Sequence, residues 1–265
     1  MAILGAIVGD ILGSQYEFDK PKDLDYKNCN LISKKGVGYT DDTVMTIAIM
    51  DAYKNKKDLV STMQKWGKKY QYCGFGSMFF SWVKSENPKP YNSWGNGSAM
   101  RVSFVGEFFE DYKQMQSEAA KTASVSHNHP EGIKGAIVTA TCIWMAKHNK
   151  TKDEIYNYVL QEYPSNKYKF SIDHDMEFLR SNYEWTEKCC DTVPAAMRCF
   201  YESTSYESFI RNIFSLDCDS DTFGAIAGGV AEEFYHGFGK VKYKNILYNY
   251  LPADIYELIE EYIEV

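Results

Sequence analysis

The chain has 265 residues, of which 45% are hydrophobic and 25% are charged, a composition typical of a globular protein with a large core. Its 36 acidic and 29 basic residues give a net charge of −7, which argues against a nucleic-acid partner bound through phosphate neutralisation. A small anionic ligand is not excluded, because local donors and metal ions can reverse the sign of the potential within a site.

The sequence contains no segment that predicts a membrane anchor. Residues 1–13 are apolar, but they lack a basic flank and include Asp10, which argues against both a signal peptide and a membrane span. The seven cysteines are odd in number and form no C-x-x-C pair, as expected of reduced thiols, and their spacing does not match a zinc site. We therefore expect a cytoplasmic protein.

Hydrophobic periodicity predicts a mostly helical chain without convincing strands. Between residues 132 and 148, Ile133, Ala136, Ile137 and Ala140 approximate the i, i+3, i+4, i+7 pattern of one helix face. In chain order, the predicted helices cover residues 2–12, 42–53, 59–71, 99–109, 116–124, 132–148, 152–162, 193–201, 209–216, 223–235 and 253–264. Residues 167–191 are polar and aromatic, and we expect them to be mostly irregular.

Two of these helices are apolar on nearly every side. Residues 42–52 and 223–231 contain small and apolar side chains around the whole helix, which is typical of central helices in a large α-domain. No linker, repeat or low-complexity tract interrupts the chain. The sequence therefore predicts an all-α fold, a compact multi-helix bundle, forming a single domain over residues 1–265.

An acidic cluster precedes each of these two central helices. The first acidic cluster, residues 39–43, includes Thr40, Asp41 and Asp42, and the second acidic cluster, residues 217–222, includes three aspartates and Thr222. One explanation is N-capping, because Thr and Asp satisfy free N–H groups and favour the helix dipole. We expect capping to account for part of both clusters.

Capping needs only one or two acidic groups, whereas Asp217, Asp219 and Asp221 lie within five residues. The helices that follow are too apolar for the surface, so these carboxylates should lie at a buried or cleft-lining end. Like charges held there must protonate or find a cation. Oxygen ligands suit Mg²⁺, Ca²⁺ or Mn²⁺, and four carboxylates with two threonine hydroxyls could hold two ions if the clusters meet.

Three further segments carry candidate binding residues. The loop 92–98, Asn-Ser-Trp-Gly-Asn-Gly-Ser, can expose backbone N–H groups before a helix that would favour an anion, but it could equally be a turn and a cap. His127 and His129 could bind a metal, although solvated imidazoles in a capped loop are the commoner outcome. Glu17, taken alone, would be a surface charge.

Taken together, these segments resemble the ADP-ribosylglycohydrolase family. The resemblance is carried by Gly5-x-x-x-Gly9-Asp10, Tyr39-Thr40-Asp41-Asp42-Thr43, Gly95-Asn96-Gly97-x-x-Met100-Arg101, Ser126-His127 and Asp219-x-Asp221-Thr222. Each motif is common by itself, but their order and approximate spacing, from near residue 2 to near residue 236, are specific.

The resemblance implies a compact all-α domain with two Mg²⁺, or Mn²⁺, in a cleft. By motif match, the metal ligands would be Thr40, Asp41, Asp42, Asp219, Asp221 and Thr222. Glu17 falls where some members place a catalytic glutamate that closes over the metals. Ser93, Trp94, Asn96 and Gly97 match the loop that holds phosphates and ribose, with Trp94 able to stack on adenine, and His127 matches a substrate-contacting histidine. Two departures are Asp217-Cys218 where the family usually has Gly-Gly, and Asn92 where a glycine is common.

The expected function is metal-dependent hydrolysis of the glycosidic bond between ADP-ribose and a modified protein side chain or small molecule, releasing ADP-ribose. Glu17, Asp41 or Asp221 would move the proton. One alternative is a catalytically silent module that binds ADP-ribose, and another is a structural helical domain whose acidic residues only cap helices. We expect a monomer with no membrane partner and no charge-driven nucleic-acid partner.

Overall fold

Fifteen α-helices and no β-strand are present in residues 1–33 and 36–263, the part of the chain that the structure, a computed structural model, describes. In chain order the helices are α1 (Ala2–Gly13), α2 (Asp41–Lys54), α3 (Leu59–Lys69), α4 (Ser77–Lys84), α5 (Gly97–Met100), α6 (Ser103–Phe108), α7 (Tyr112–Ser124), α8 (Pro130–Lys147), α9 (Lys152–Glu162), α10 (Met176–Asn182), α11 (Cys189–Tyr201), α12 (Tyr206–Phe214), α13 (Ser220–Tyr235), α14 (Tyr243–Tyr250) and α15 (Ala253–Ile263). The predicted all-α fold class is confirmed.

Several predicted boundaries are wrong. The segment expected to be irregular, 167–191, contains α10, in which the Asp175 side chain accepts a hydrogen bond from the Phe178 N–H and Met176 and Leu179 are buried. The predicted helix 99–109 is two helices, because Arg101 and Val102 have ψ angles of −2° and −1°. Glu264, the last residue of the predicted helix 253–264, lies outside the described residues.

Besides α10, the periodicity argument missed other whole helices and several helix starts, such as that of α7, which begins at Tyr112 rather than at 116. Helices α4 and α14 were not predicted, and both lack a side chain that caps the helix start with a hydrogen bond. Helix α11 begins at Cys189 rather than at 193, with Pro194 inside the helix. Pro194 therefore lies in the second turn of α11 rather than in the first turn that prolines favour.

The expected central position of α2 and α13 is observed. Residues 42–52 of α2 and 220–232 of α13 are buried, and so is every residue of α1. Buried apolar side chains from α1 through α15 form one continuous cluster in the described part of the chain. The extent of a single domain over 1–265 stays a prediction.

Helices α1 and α13 make the most extensive contact between any two described helices. Gly5, Gly9 and Gly13 of α1 face Gly228, Gly224 and Ser220 of α13, so the two helices run antiparallel. A Cβ atom added to Gly9 would lie 2.2 Å from the carbonyl oxygen of Gly224, which is far inside van der Waals contact. The glycines therefore allow the two backbones to touch, and the end of α1 lies beside the start of α13.

Within the described ranges, no helix is both long enough and apolar enough to cross a membrane. The expected cytoplasmic location and monomeric state stay predictions.

Replacing Gly9 by alanine should destabilise the protein by ~1–3 kcal/mol or more, because the added methyl group collides with the α13 backbone rather than with a movable side chain. Urea unfolding followed by circular dichroism measures this change. Gly38→Ala is the matched control, since an added Cβ there meets no described atom within 4 Å, and we expect its effect to stay within about 0.5 kcal/mol. Equal stability of the two variants would contradict the close packing of α1 and α13.

Candidate metal centre and substrate cleft

Asp10, buried in the middle of the fold on α1, holds the start of α2. Its Oδ1 accepts the Thr40 hydroxyl at 2.8 Å, and its Oδ2 accepts the backbone N–H groups of Thr40 at 3.0 Å and Thr43 at 3.1 Å, together with the Thr43 hydroxyl. Burial raises the pKa of Asp10 to about 6, although these hydrogen bonds favour the ionised form. Asp10 was part of a recognised motif, but sequence reasoning gave it no function.

In the first acidic cluster, capping explains Thr40 but not the aspartates. The Thr40 hydroxyl accepts a hydrogen bond from the Asp42 N–H at 3.2 Å and so caps α2. Asp42 is 2% exposed, and its Oδ1 has no hydrogen-bond partner among the described residues. An ionised oxygen buried in this way is costly unless it faces a cation.

The second acidic cluster behaves in the same way. Asp219 occupies the N-cap position of α13, yet its side chain makes no capping hydrogen bond. Instead, Asp219 Oδ2 accepts a hydrogen bond from Asn96 Nδ2 at 2.8 Å, while Asp221 Oδ1 accepts one from the Thr222 N–H at 2.9 Å. Asp217 is exposed. Capping alone therefore does not account for the buried acids of this cluster.

The two clusters meet in one cleft. Glu17, Asp219 and Asp221 each place a carboxylate oxygen within 4.8 Å of the others. Asp41, Asp42 and Thr222 line the same cleft. Of the residues that the resemblance assigns to metal, only Thr40 is missing from the described lining, and its hydroxyl lies against Asp10.

These acidic groups strongly disfavour one another's ionisation. Burial, followed by repulsion from neighbouring carboxylates, raises the pKa values of Asp41, Asp42 and Asp221 well above their ordinary range. Burial and the nearby Asp219 raise the pKa of Glu17 to about 8.

No ion pair between described residues involves any carboxylate of the cleft. The candidate ligands are all oxygen atoms, and Asp42 Oδ1 has no hydrogen-bond partner among the described residues. Together with the missing ion pairs, these features fit a hard divalent cation. The same residues would otherwise have to take up protons near neutral pH.

The loop 92–98 forms part of the cleft wall and contacts the acids through Asn96. Ser93, Asn96 and Gly97 line the cleft. The loop is fastened to the segment before α11, because the Asn96 N–H donates to the Glu187 carbonyl at 2.6 Å and the Cys189 N–H donates to the Trp94 carbonyl at 3.0 Å. Helix α5, which follows, is only four residues long, so the expected anion site at its start lacks the dipole of a full helix.

Trp94 is absent from the described lining of the cleft. Its ring is 53% exposed and packs edge-on against His129, with ring centroids 5.2 Å apart. Phe79 and Tyr91 supply the aromatic surface that faces the cleft. Sequence reasoning missed both residues. Phe79 lies on helix α4, which was not predicted. Stacking of Trp94 on adenine stays a prediction.

The two histidines have different environments. His129 caps α8, where its Nδ1 accepts a hydrogen bond from the Glu131 N–H at 3.1 Å. His127 is 5% exposed and lines the cleft, with Nδ1 lying 2.8 Å from the Ser126 hydroxyl. Burial and the nearby Arg101 lower the pKa of His127 well below its ordinary value, so the imidazole is neutral at physiological pH.

Comparison with known proteins agrees with this geometry. The family model described as ADP-ribosylglycohydrolase matches residues 1–239. The chain belongs to the ADP-ribosylglycohydrolase family. A putative ADP-ribosyl glycohydrolase of Acanthamoeba polyphaga mimivirus is 24% identical over 285 residues, covering 89% of this chain and 86% of the viral protein.

Two further comparisons agree with the assignment to the ADP-ribosylglycohydrolase family. Human ADP-ribosylhydrolase ARH3 is 26% identical over 183 residues, covering 57% of this chain and 50% of the human protein. A solved structure described as an ADP-ribosylglycohydrolase-related protein complex has a TM-score of 0.71 at 20% identity and covers 97% of this chain and 93% of its own, which shows the shared fold. Family membership supports ADP-ribosyl hydrolase activity with ADP-ribosylated substrates.

The chain accommodates its two departures from the ADP-ribosylglycohydrolase motifs. Asn92 has a φ of 56°, the left-handed conformation that glycine adopts easily and that asparagine tolerates best among other residues. At the other position Cys218 is 2% exposed, while Asp217 is exposed and absent from the described lining of the cleft. Asp217 therefore adds no carboxylate to that lining.

The metal-free protein should become less stable as pH rises from 5 to 8. Glu17 and Asp10 have folded-state pKa values of about 8 and about 6, above their ordinary values of 4.5 and 3.8. A carboxyl group whose pKa is higher in the folded protein than in the unfolded chain stabilises the fold when the pH is below its ordinary pKa. This contribution is lost as the pH rises through the folded-state pKa. Differential scanning fluorimetry in EDTA should show a falling Tm.

Millimolar MgCl₂ should raise the Tm more at pH 8 than at pH 5, because a bound cation competes with protons for the same oxygens. Glu17→Gln should flatten the pH dependence in EDTA, whereas Asp217→Asn should leave it unchanged. A Tm in EDTA that is equal or higher at pH 8, with no effect of Mg²⁺, would contradict this electrostatic description.

Proposed function

We propose that this protein is a metal-dependent hydrolase that cleaves the glycosidic bond between ADP-ribose and a modified protein side chain or small-molecule acceptor. The observation that carries the proposal is the meeting of Glu17, Asp41, Asp42, Asp219 and Asp221 in one cleft, where none of them forms an ion pair with a described residue although Arg101 lines the same cleft. The structural alternative, in which the acids only cap helices, leaves Asp42 Oδ1 buried and unpaired.

Asp41, Asp42, Asp219 and Asp221 would hold two Mg²⁺ or Mn²⁺ ions, with the hydroxyls of Thr40 and Thr222 as neutral ligands. Thr40 Oγ1 donates its proton to Asp10 and accepts the Asp42 N–H, which leaves one oxygen lone pair for a cation. When bound, divalent ions orient ribose hydroxyls and lower the pKa of water. Asp10 supports this arrangement by fixing the backbone of the first acidic cluster.

Hydrolysis breaks the bond between the anomeric carbon of the ribose and the acceptor atom, and water supplies the new hydroxyl group. Positive charge develops on the sugar in the transition state, and the carboxylates of the cleft stabilise it electrostatically. Glu17, Asp41 or Asp221 accepts the proton of the attacking water or delivers a proton to the leaving group. The ADP-ribose is positioned beside these carboxylates by four residues of the cleft, Ser93, Asn96, Gly97 and His127.

Of these three acids, Glu17 is the best placed to exchange protons. It is only half-buried and follows the short 3₁₀ turn Ser14–Tyr16 rather than lying inside a helix. Its raised pKa of about 8 gives it a proton to donate near neutral pH in the metal-free site. Asp41 and Asp221 instead belong to the first turns of α2 and α13, where the donor set for a cation is concentrated.

The acceptor is tested directly with peptides carrying ADP-ribose on arginine or on serine. Release of ADP-ribose is measured by liquid chromatography with Mg²⁺ and again with EDTA. The proposal predicts turnover of at least one linkage with Mg²⁺ and its loss in EDTA. Metal-dependent binding of ADP-ribose without turnover of any linkage would instead indicate a silent binding module, and no binding in either condition would exclude both functions.

The double variant Asp41→Ala, Asp221→Ala should lose hydrolysis by about 100-fold or more, since each cluster then lacks one anionic ligand. The variant should fold, because removing mutually repelling buried carboxylates relieves repulsion in the metal-free state. The exposed Asp217→Ala is the matched control and should keep wild-type turnover. Full activity of the double variant would refute the assignment of these acids to metal.

Glu17→Gln should lower kcat by roughly 100-fold or more while leaving the affinity for ADP-ribose within a few-fold of wild type, because the amide keeps the shape but cannot exchange a proton. Steady-state kinetics on the best linkage, together with calorimetric titration of ADP-ribose, separate the two effects. A normal kcat in Glu17→Gln would show that Glu17 does not transfer the proton in the chemical step. That step would then be assigned to Asp41 or Asp221.

A further inference from the structure

A chain of buried polar groups lies behind the wall of the cleft, and its two ends, Arg101 and His127, both line the cleft. Arg101 is fully buried, and its Nη2 donates to the Thr122 carbonyl and to the Ser126 hydroxyl, both at 2.8 Å. Ser126 is also fully buried, and its Oγ lies 2.8 Å from Nδ1 of His127. These contacts connect a buried cation to a histidine that lines the cleft.

The direction of each proton in this chain follows from the chemistry of its members. A guanidinium group can only donate hydrogen bonds, so the Ser126 oxygen accepts from Arg101. Arg101 and His127 are the only side chains within hydrogen-bonding distance of that hydroxyl among the described residues. The single Ser126 proton is therefore directed at His127 Nδ1, since pointing it elsewhere would leave a buried donor unpaired.

His127 must then carry its own proton on Nε2. Nδ1 acts as the acceptor, and the ring is neutral because burial and the charge of Arg101 oppose a second proton. Arg101 itself stays charged, since burial lowers its pKa only to about 10. A neutral imidazole with an accepting Nδ1 presents an N–H group at Nε2.

The Nε2 atom faces the loop 92–98. A Cβ atom added to Gly97 would lie 3.0 Å from Nε2, and one added to Gly95 would lie 3.7 Å from it, and both glycines line the cleft. The rings of Tyr91 and Phe79 pack near the imidazole, with centroids 5.5 Å and 6.2 Å away. The ring is thus held from two sides, with its donor beside the part of the loop assigned to substrate.

We propose that Arg101 and Ser126 are positioning residues that fix His127 as a neutral Nε2–H donor to an oxygen atom of the bound ADP-ribose. This inference rests on the proposed function for the identity of the ligand, but the tautomer itself does not depend on it. It identifies the donating atom of a histidine already expected to contact substrate, and it excludes the imidazole from acting as a general base through Nε2. It also gives a function to Arg101 and Ser126, which the motif comparison named without one.

The tautomer is measured by long-range ¹H–¹⁵N NMR on protein labelled with ¹⁵N-histidine, which contains five histidines. The His127 signals are identified by their loss in His127→Asn. At neutral pH, without ligand, we expect a protonated Nε2 and an unprotonated Nδ1. Protonation at Nδ1, or on both nitrogens, would overturn the proposal, whether or not the protein is a hydrolase.

Ser126→Ala should convert His127 to a mixture of tautomers, because nothing then donates to Nδ1. Ser126→Thr, which keeps the hydroxyl, should restore the single tautomer. Ser124→Ala, two residues before Ser126 at the end of α7, is the matched control, since the Ser124 hydroxyl bonds to the Ala120 carbonyl, and it should leave the spectrum unchanged. An unchanged tautomer in Ser126→Ala would overturn the positioning role of Ser126.

Binding and turnover give a second readout. His127→Ala should weaken ADP-ribose binding by about 10-fold, and His127→Gln should recover part of this loss, because its amide N–H can replace the Nε2–H donor. Both variants should keep the wild-type shape of the pH profile of kcat. Loss of one limb of that profile would show that His127 exchanges a proton in catalysis and would contradict its assignment as a fixed donor.

Discussion

The contact between the α1 and α13 backbones is the constraint on which the rest of the structure depends. Gly5, Gly9 and Gly13 let α1 lie directly against α13, and the antiparallel arrangement sets the end of one helix beside the start of the other. Glu17 follows α1, and the second acidic cluster begins α13, so the contact brings acids about two hundred residues apart into one cleft. Asp10, on the same helix, then fixes the first acidic cluster.

With the proposed metal ions bound, this arrangement would let an acidic protein accept an anionic diphosphate. Burial, followed by repulsion between neighbouring carboxylates, makes the ionised forms of Asp41 and Asp221 unfavourable in the cleft. The net charge of −7 therefore describes the whole chain, whereas in the proposed function two divalent cations would neutralise the four aspartates of the cleft. Asn96 and His127 line the same cleft, where the Asn96 amide donates to Asp219 and the His127 ring lies against the Ser126 hydroxyl.

The elements that could be predicted from the sequence are those whose signal is local. The apolar pattern around the whole of α2 predicted its central position in the fold. The acidic residues at the starts of α2 and α13 suggested a cation site. Long-range contacts supplied the rest: Asp10 acts across 30 residues on Thr40, and Arg101 acts across 25 on Ser126. The outward orientation of Trp94 depends on the path of a loop fastened to the segment before α11, which no local pattern encodes.

The central claim is that the cleft is built for divalent cations. Titration of the purified, EDTA-treated protein with Mn²⁺, with free Mn²⁺ followed by electron paramagnetic resonance, tests it most directly. The account predicts saturable binding of two ions per chain at pH 8, with weaker binding at pH 5 and loss of binding in Asp42→Asn. Absence of saturable Mn²⁺ binding at pH 8, in a protein that still releases ADP-ribose in EDTA, would contradict it.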